Sequence, residues 1–230
     1  MFYNDYIKDK MVCFVGASPI LKDLGLGGYI DSYDVVIRTN GSIFLIEDKE
    51  FIKDYGKKID VLYTNNQFYR EMSPLPIDDY VKKGVKFLRM KTCKLKDHNF
   101  FNTKLNCRTI VETMNYVNKF NASSTMGAYI FTDILKYNPK ELYVTGIDFF
   151  ASKKKVFEHD NYNEYYPGYL PDKIRLQGNI INKGKTEDGH NFKGNAGYIY
   201  HLWKQHDNMK FPPYIQEILE GIIDGEVEQK

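Results

Sequence analysis

Cysteine is scarce in this chain. There are three in 230 residues, Cys13, Cys93 and Cys107, with neither metal-ligand spacing nor the density of a disulfide framework. Cys13 falls in the first apolar run and reads as a small core residue. Long hydrophobic runs are missing too: nothing approaches the ~20 residues needed to cross a bilayer, and the polar start MFYNDYIKDK is no signal peptide. The expectation is a protein of the reducing cytoplasm with no transmembrane segment. Charge of one sign is also lacking. With 32 basic and 30 acidic residues the net charge is +2, so no global field points to nucleic acid. No Gly-x-Gly-x-x-Gly follows a strand and no Gly-Lys-Ser/Thr closes a loop, which excludes a dinucleotide fingerprint and a P-loop. There is no internal repeat.

What is present is ordinary globular material, 43% apolar and 27% charged. The length suits one domain over residues 1–230 with a substantial core, or one domain plus a small lid. Short apolar runs at 11–15, 34–38, 60–64, 85–89 and 141–146 read as buried strands, and 44–55 and 126–137 read as helices. Asn121 to Thr125 supplies capping hydroxyls before the second of these. Strands alternating with helices predict an α/β fold, a central parallel sheet with helices on both faces. One stretch breaks the rhythm. Residues 151–189 lack periodicity, and Tyr162, Tyr165, Tyr166 and Tyr169 argue for a lid or acceptor loop over plain disorder. Lys82 to Lys96 is locally basic with no acidic residue. A solvated face is the simpler reading and an anionic acceptor the sharper one.

Residues 12–40 carry the most information. The run Val12 to Val15 stops at Gly16-Ala17-Ser18-Pro19, and a second run, Val35 to Ile37, ends in Arg38-Thr39-Asn40. Gly16 lets backbone approach a ligand, and the amides of Ala17 and Ser18 can meet a phosphate or sugar; taken alone, the turn is more simply a plain strand-to-helix connection. Open parallel sheets bind ligands at their carboxyl edge, which is where these turns are expected.

The pattern Gly16-Ala-Ser-Pro-Ile-Leu-Lys, then Gly28-x-Ile30-Asp31-x-x-Asp34-x-Val36-x-Arg38-x-Asn40, resembles the large sialylmotif of the sialyltransferases. Ser124-Thr125-Met126-Gly127-Ala128-Tyr129, followed by Glu141-Leu-Tyr-Val-Thr-Gly146-Ile-Asp-Phe-Phe150, resembles the small sialylmotif, most of all that of the bacterial enzymes. Ile59 to Asn66 is similar to the family's intervening strand and Asn-bearing edge. The resemblance implies a Rossmann-like sheet of the glycosyltransferase-A-variant type. It also implies an inverting, metal-independent transfer of sialic acid, or a related acidic sugar, from a CMP-sugar to an acceptor hydroxyl. The donor is then a substrate and no cofactor is expected. On the same resemblance Gly16, Ala17, Ser18, Asn40, Thr64, Asn65 and Asn66 line the sugar and phosphate side. Ser124, Thr125, Met126 and Gly127 hold cytidine and ribose, and Gly146, Ile147, Asp148 and Phe149 form the adjacent strand edge.

The transfer needs a base for the acceptor hydroxyl, and histidine suits it because its pKa lies near neutrality. Five are available: His98, His159, His190, His201 and His206. His190 follows the long loop and precedes a helix reaching Gln205, where the family places its base. His159 follows the small-motif strand, where animal members carry a His that contacts the leaving phosphate, and with Glu164 it meets their His-x-x-x-x-Glu pattern. His98, His201 and His206 read as surface or helix-face residues. Three features depart from the family. Ala17 stands where an Asn usually contacts the donor, Phe150 stands where bacterial members have a tyrosine, and the cysteine pair joining the two motifs in animal members is absent. The expected partners are a nucleotide-sugar donor and a glycan or other hydroxyl-bearing acceptor, with a homo-oligomer also allowed. Two other readings stay open: the same fold with another nucleotide sugar or a nucleic-acid acceptor, and a non-catalytic nucleotide-binding protein.

Overall fold

Strand β1 (Met11–Val15) is the spine of the molecule. Its side chains alternate between two buried layers, Val12 and Phe14 entering one and Cys13 and Val15 the other. The computed structural model describes residues 2–39, 42–43, 46–47, 49–65, 77–91, 106–109, 125–149 and 192–224. Within them seven strands form one sheet: β1, β2 (Val35–Thr39), β3 (Val61–Asn65), β4 (Phe87–Lys91), β5 (Asn106–Thr109), β6 (Glu141–Thr145) and β7 (Met209–Lys210). The order is β5-β4-β3-β2-β1-β6-β7 and every pairing is parallel. The α/β expectation holds. Because the strand order reverses beside β1, the loops that leave β1 and β6 stand at the topological switch point, the usual ligand crevice of an open sheet.

Helices cover both faces. On one lie α1 (Tyr3–Ile7), α5 (Met126–Leu135), α6 (Phe192–Gln205) and α7 (Pro213–Asp224). They pack Phe131, Ile134, Ile199, Leu202, Ile215 and Leu219 onto Phe14, Ile37, Val61 and Val144, each such burial being worth roughly 1.5–3 kcal/mol. The other face carries α2 (Gly27–Asp31), α3 (Lys49–Tyr55) and α4 (Ile77–Lys82), which bring Ile30, Tyr55 and Tyr80 to the sheet. The sequence reading placed the first three strands within a residue. The 85–89 strand begins later, at Phe87, because Gly84 is left-handed and the Val85 amide is spent closing the turn on the Tyr80 carbonyl (3.0 Å). Cys13 is fully buried, and burial pushes its thiol far up. Residues 151–189, read as a lid, lie outside the described residues.

The basic stretch is corrected in part. Arg89 is buried, not solvated: its Nη2 meets Asp133 Oδ2 on α5 at 2.8 Å, and its guanidinium sits 4.2 Å over the Tyr3 ring. The Tyr63 hydroxyl donates to the same Asp133 oxygen (2.6 Å) and pairs with the Tyr3 hydroxyl (2.7 Å). Lys86 bonds Asp60 at 2.7 Å, Lys82 bonds Asp79 at 3.0 Å, and Lys83 pairs with Glu47. Residues 92–96 lie outside the described residues. Removing one partner of a buried ion pair leaves the other charge uncompensated, so Asp133→Ala should cost about 3–5 kcal/mol. Tyr63→Phe, which removes one hydrogen bond, should cost about 1 kcal/mol. Urea denaturation of both variants checks the ranking.

Candidate active site at the carboxyl edge of the sheet

The β1 and β6 loops touch backbone to backbone. A Cβ on Gly16 would come within 2.1 Å of the Gly146 carbonyl oxygen, and one on Gly146 within 2.6 Å of the Gly16 oxygen. Gly146 is also left-handed, with φ +68°. The Gly16 amide donates to the Thr145 carbonyl and the Ser18 amide to the Gly146 carbonyl, both at 2.9 Å. Beyond that contact the chains part, the β1 loop toward the α2–α3 face and the β6 loop onward through Ile147, Asp148 and Phe149. Phe149 is itself left-handed at φ +52°, a conformation that costs a non-glycine residue about 1–2 kcal/mol.

Helix α5 brings a further segment to the same edge. Its far end is tied to the amino edge of the sheet, since Asn138 accepts from the Asp9 amide (3.1 Å) and the Lys140 amide donates to Lys10 (2.9 Å). Ten residues at 1.5 Å each give about 15 Å, so the helix start, Thr125 to Gly127, comes up at the carboxyl edge. Thr125 is the N-cap; its hydroxyl accepts from the Ala128 amide at 3.5 Å. The Thr125 amide donates to Asn195 Oδ1 on α6 (2.7 Å). The start of α6, two residues after His190 in the chain, is thereby fastened to the start of α5. Gly127 differs from the two loop glycines. A Cβ there would find its nearest neighbour, Phe131, at 3.6 Å, an ordinary contact, so no packing among the described residues demands a glycine.

The structure thus brings Gly16, Ala17, Ser18, Thr64, Asn65, Thr125, Met126, Gly127, Gly146, Ile147, Asp148 and Phe149 to one edge of the sheet. The Ala17 methyl is buried beside Val15 and Leu21 and offers a ligand only its backbone. The Ser18 hydroxyl accepts from the Ile20 amide (3.3 Å), a local turn bond. His159, His190, Asn40, Asn66, Ser124 and Phe150 lie outside the described residues. Among the described residues no three His, Cys, Asp or Glu side chains are grouped to hold a metal, and no helix is long and apolar enough to cross a membrane.

Several motif residues turn out to hold the scaffold. Asp31 accepts from the Lys57 and Lys58 amides (3.0 and 2.9 Å), and Asp34 from the Met11 amide (2.9 Å). Arg38 is fully buried and donates to the carbonyls of Tyr55 (2.7 Å), Gly56 (3.0 Å) and Lys58 (3.0 Å), capping the end of α3. Burial brings its pKa down to about 10, against the opposing pull of Cys13 and Asp31. Sequence reasoning missed Asn195, Tyr214, whose hydroxyl pairs with Thr145 Oγ1 at 2.7 Å, and Asp54 and Tyr55 beneath the β1 loop. The signal available for Asn195 was an amide side chain in the first turns of a helix, where such residues bond backbone instead of serving propensity.

The glycines make opposite predictions. Gly146→Ala should destabilise the protein by more than the roughly 1–2 kcal/mol of left-handed strain, because a carbonyl must also move aside. Gly127→Ala should stabilise it by about 0.5–1 kcal/mol, since alanine suits a helix better. Denaturant midpoints of the two variants test this.

The sequence model of glycosyltransferase family 29 (sialyltransferase) matches residues 9–168, a stretch that includes His159 and ends before His190. No curated protein sequence is detectably similar to the chain. Among solved structures, the monofunctional α-2,3-sialyltransferase Cst-I from Campylobacter jejuni is 19% identical with a TM-score of 0.56, over 87% of this chain and 74% of that one. A mammalian sialyltransferase in complex with Gal-β-1-3GalNAc-ortho-nitrophenol is 14% identical with a TM-score of 0.54, over 91% and 71%. A Cst-II sialyltransferase variant in complex with CMP is 17% identical with a TM-score of 0.51, over 88% and 80%. At these identities the likeness is one of fold. The family match takes in both glycine loops and α5 and covers well over half of the chain: this protein belongs to glycosyltransferase family 29, the sialyltransferases, and is a glycosyltransferase.

Proposed function

We propose that the protein transfers sialic acid or a related acidic sugar from a CMP-sugar donor to an acceptor hydroxyl on a glycan, with inversion and without a metal. One observation carries the reading: Gly127 opens the first turn of α5 at the carboxyl edge of the sheet, with no neighbour among the described residues that requires it to lack a side chain. A glycine that costs helix stability and answers no packing demand suits close approach of a ligand. The amides of Met126 and Gly127 then present the positive end of the helix to the nucleotide. The relatives of similar fold include one bound to CMP and one bound to Gal-β-1-3GalNAc-ortho-nitrophenol, a nucleotide and a glycan, which supports the reading.

In this reading the acceptor oxygen attacks the anomeric carbon as its bond to the phosphate oxygen breaks. His190 takes the hydroxyl proton, and His159 hydrogen-bonds the departing phosphate. Such a monophosphate can leave on hydrogen bonds alone, and the reading assigns no metal. His190 stands two residues before α6, whose Asn195 is bound to the N-cap of α5. The 151–189 segment serves as the lid that excludes water from the activated sugar. The buried Ala17 methyl favours a second reading, in which the fold accepts another nucleotide sugar.

Calorimetric titration with CMP, UDP, GDP and ADP separates these readings. CMP should bind tightest, and Gly127→Ala should weaken it while raising the melting temperature. A clear preference for UDP or GDP assigns a different donor class. His190→Ala should lower turnover by roughly 10²–10⁴-fold with CMP affinity nearly intact, whereas His159→Ala should weaken donor binding and slow the reaction together. Near-normal turnover of His190→Ala would refute its role as base.

A further inference from the structure

We propose that the last turn of α3, through Asp54 and Tyr55, is the positioning device for the donor-facing β1 loop, and that the Tyr55 hydroxyl sets nucleotide affinity without touching the nucleotide. The proposal rests on the CMP-sugar reading above. Tyr55 is fully buried in an apolar layer with Val15, Leu21, Ile30 and Phe51, where a phenylalanine would fill nearly the same volume. A buried hydroxyl is costly unless paired, so its placement calls for a partner, and that partner is the loop: Tyr55 Oη donates to the Ser18 carbonyl at 2.8 Å. Ser18 precedes Pro19, so the peptide between them has no N–H, and its carbonyl is its one polar handle. Apart from Tyr55, that carbonyl has among the described residues only a long bond from the Leu21 amide, at 3.5 Å.

Asp54 holds the continuation of the same loop. Its two carboxylate oxygens accept from the amides of Asp23 (2.9 Å) and Gly25 (2.7 Å), both left-handed at φ 65°. The chain from Ser18 to Gly25 is thus seated on adjacent residues of one helix end. That end is itself fixed to the sheet by Arg38, which bonds the Tyr55 and Gly56 carbonyls. Ser18 is gripped from opposite sides, its amide by Gly146 of the β6 loop and its carbonyl by Tyr55 of α3. Releasing the second grip leaves Gly16, the strand and the Ser18 amide bond to Gly146 in place, and frees the Ser18 carbonyl and, beside it, the Ala17 backbone to tilt. The Ala17 amide is the backbone donor this loop can turn toward the sugar phosphate, since the Ser18 amide is spent on the Gly146 carbonyl.

The test uses the full chain as wild type, Tyr55→Phe, Asp54→Asn and, as a control, Tyr33→Phe. Tyr33 is also buried, but its hydroxyl bonds Glu141 (2.9 Å) at the amino edge of the sheet, away from the loop. Tyr55→Phe should weaken CMP binding by about fivefold, the worth of one net hydrogen bond, and speed hydrogen exchange of the Ser18 to Gly25 amides but not those of α5. Tyr33→Phe should change melting temperature to a similar degree and leave both readouts alone. Asp54→Asn should loosen the same amides further, because an amide group cannot accept both bonds. If wild type fails to bind CMP, the donor assignment falls, and exchange at 18–25 still decides the positioning claim. Exchange in Tyr55→Phe equal to wild type overturns the proposal, as does weaker CMP binding matched by Tyr33→Phe.

Discussion

Contact between two glycine backbones organises this protein's functional edge. Parallel strands with their helices outside leave the two loops at the switch point as near neighbours, and here they are neighbours without any side chain between them. The Gly16 and Gly146 carbonyls stand where each other's Cβ would be, and two backbone bonds of 2.9 Å stitch the loops together. The contact extends the β1–β6 pairing, in register from Met11↔Glu141 to Val15↔Thr145, beyond the end of the strands. The loops can therefore diverge toward opposite faces from a rigid origin, which is what a binding edge requires of the elements that flank it.

Much of the charged part of the large sialylmotif is spent on holding that origin in place. Asp31 and Asp34 bind backbone amides, and just beyond the motif Asp60 takes the Val36 amide at 2.9 Å together with Lys86 at 2.7 Å. Arg38 has no carboxylate partner among the described residues. It binds three carbonyls at the end of a helix, where the backbone dipoles leave partial negative charge, and even with its pKa brought down to about 10 by burial it stays charged near neutrality. A motif recognised by its charged residues is here mostly a description of how β2 and α3 are joined.

That division explains what the sequence disclosed. The apolar runs of β1, β2, β3 and β6 announce themselves because strands buried on both faces must be apolar throughout. β5 did not, since Asn-Cys-Arg-Thr at 106–109 has no such run, and β7 is only two residues long. The glycine turns were legible for the same local reason. Polar partners were not: Lys86, Lys83 and Arg89 meet acids 26, 36 and 44 residues away in sequence. The Asn195 bond to Thr125 spans 70 residues. A run of like charges looks solvated until the fold brings distant carboxylates to it, and no spacing rule within the run can foresee that.

The two walls of the edge are held by separate networks, and this bears on how the enzyme can work. The β1 loop is seated on α3 through Tyr55 and Asp54. The other wall is a pair of roughly co-directional helices, α5 and α6, joined by polar bonds at two levels: Thr125 to Asn195 at 2.7 Å and Thr132 to Tyr198 at 2.9 Å. Lower down, α5 is pinned to β3 and β4 by the buried Asp133. Among the described residues the sheet is what joins the loop to the helices, so a change in one wall reaches the other through β1 and β6. The start of α6 moves with the start of α5 because Asn195 ties them. On the proposed function, the start of α5 and the first turn of α6 would then respond to a bound nucleotide together, while the β1 loop adjusts independently.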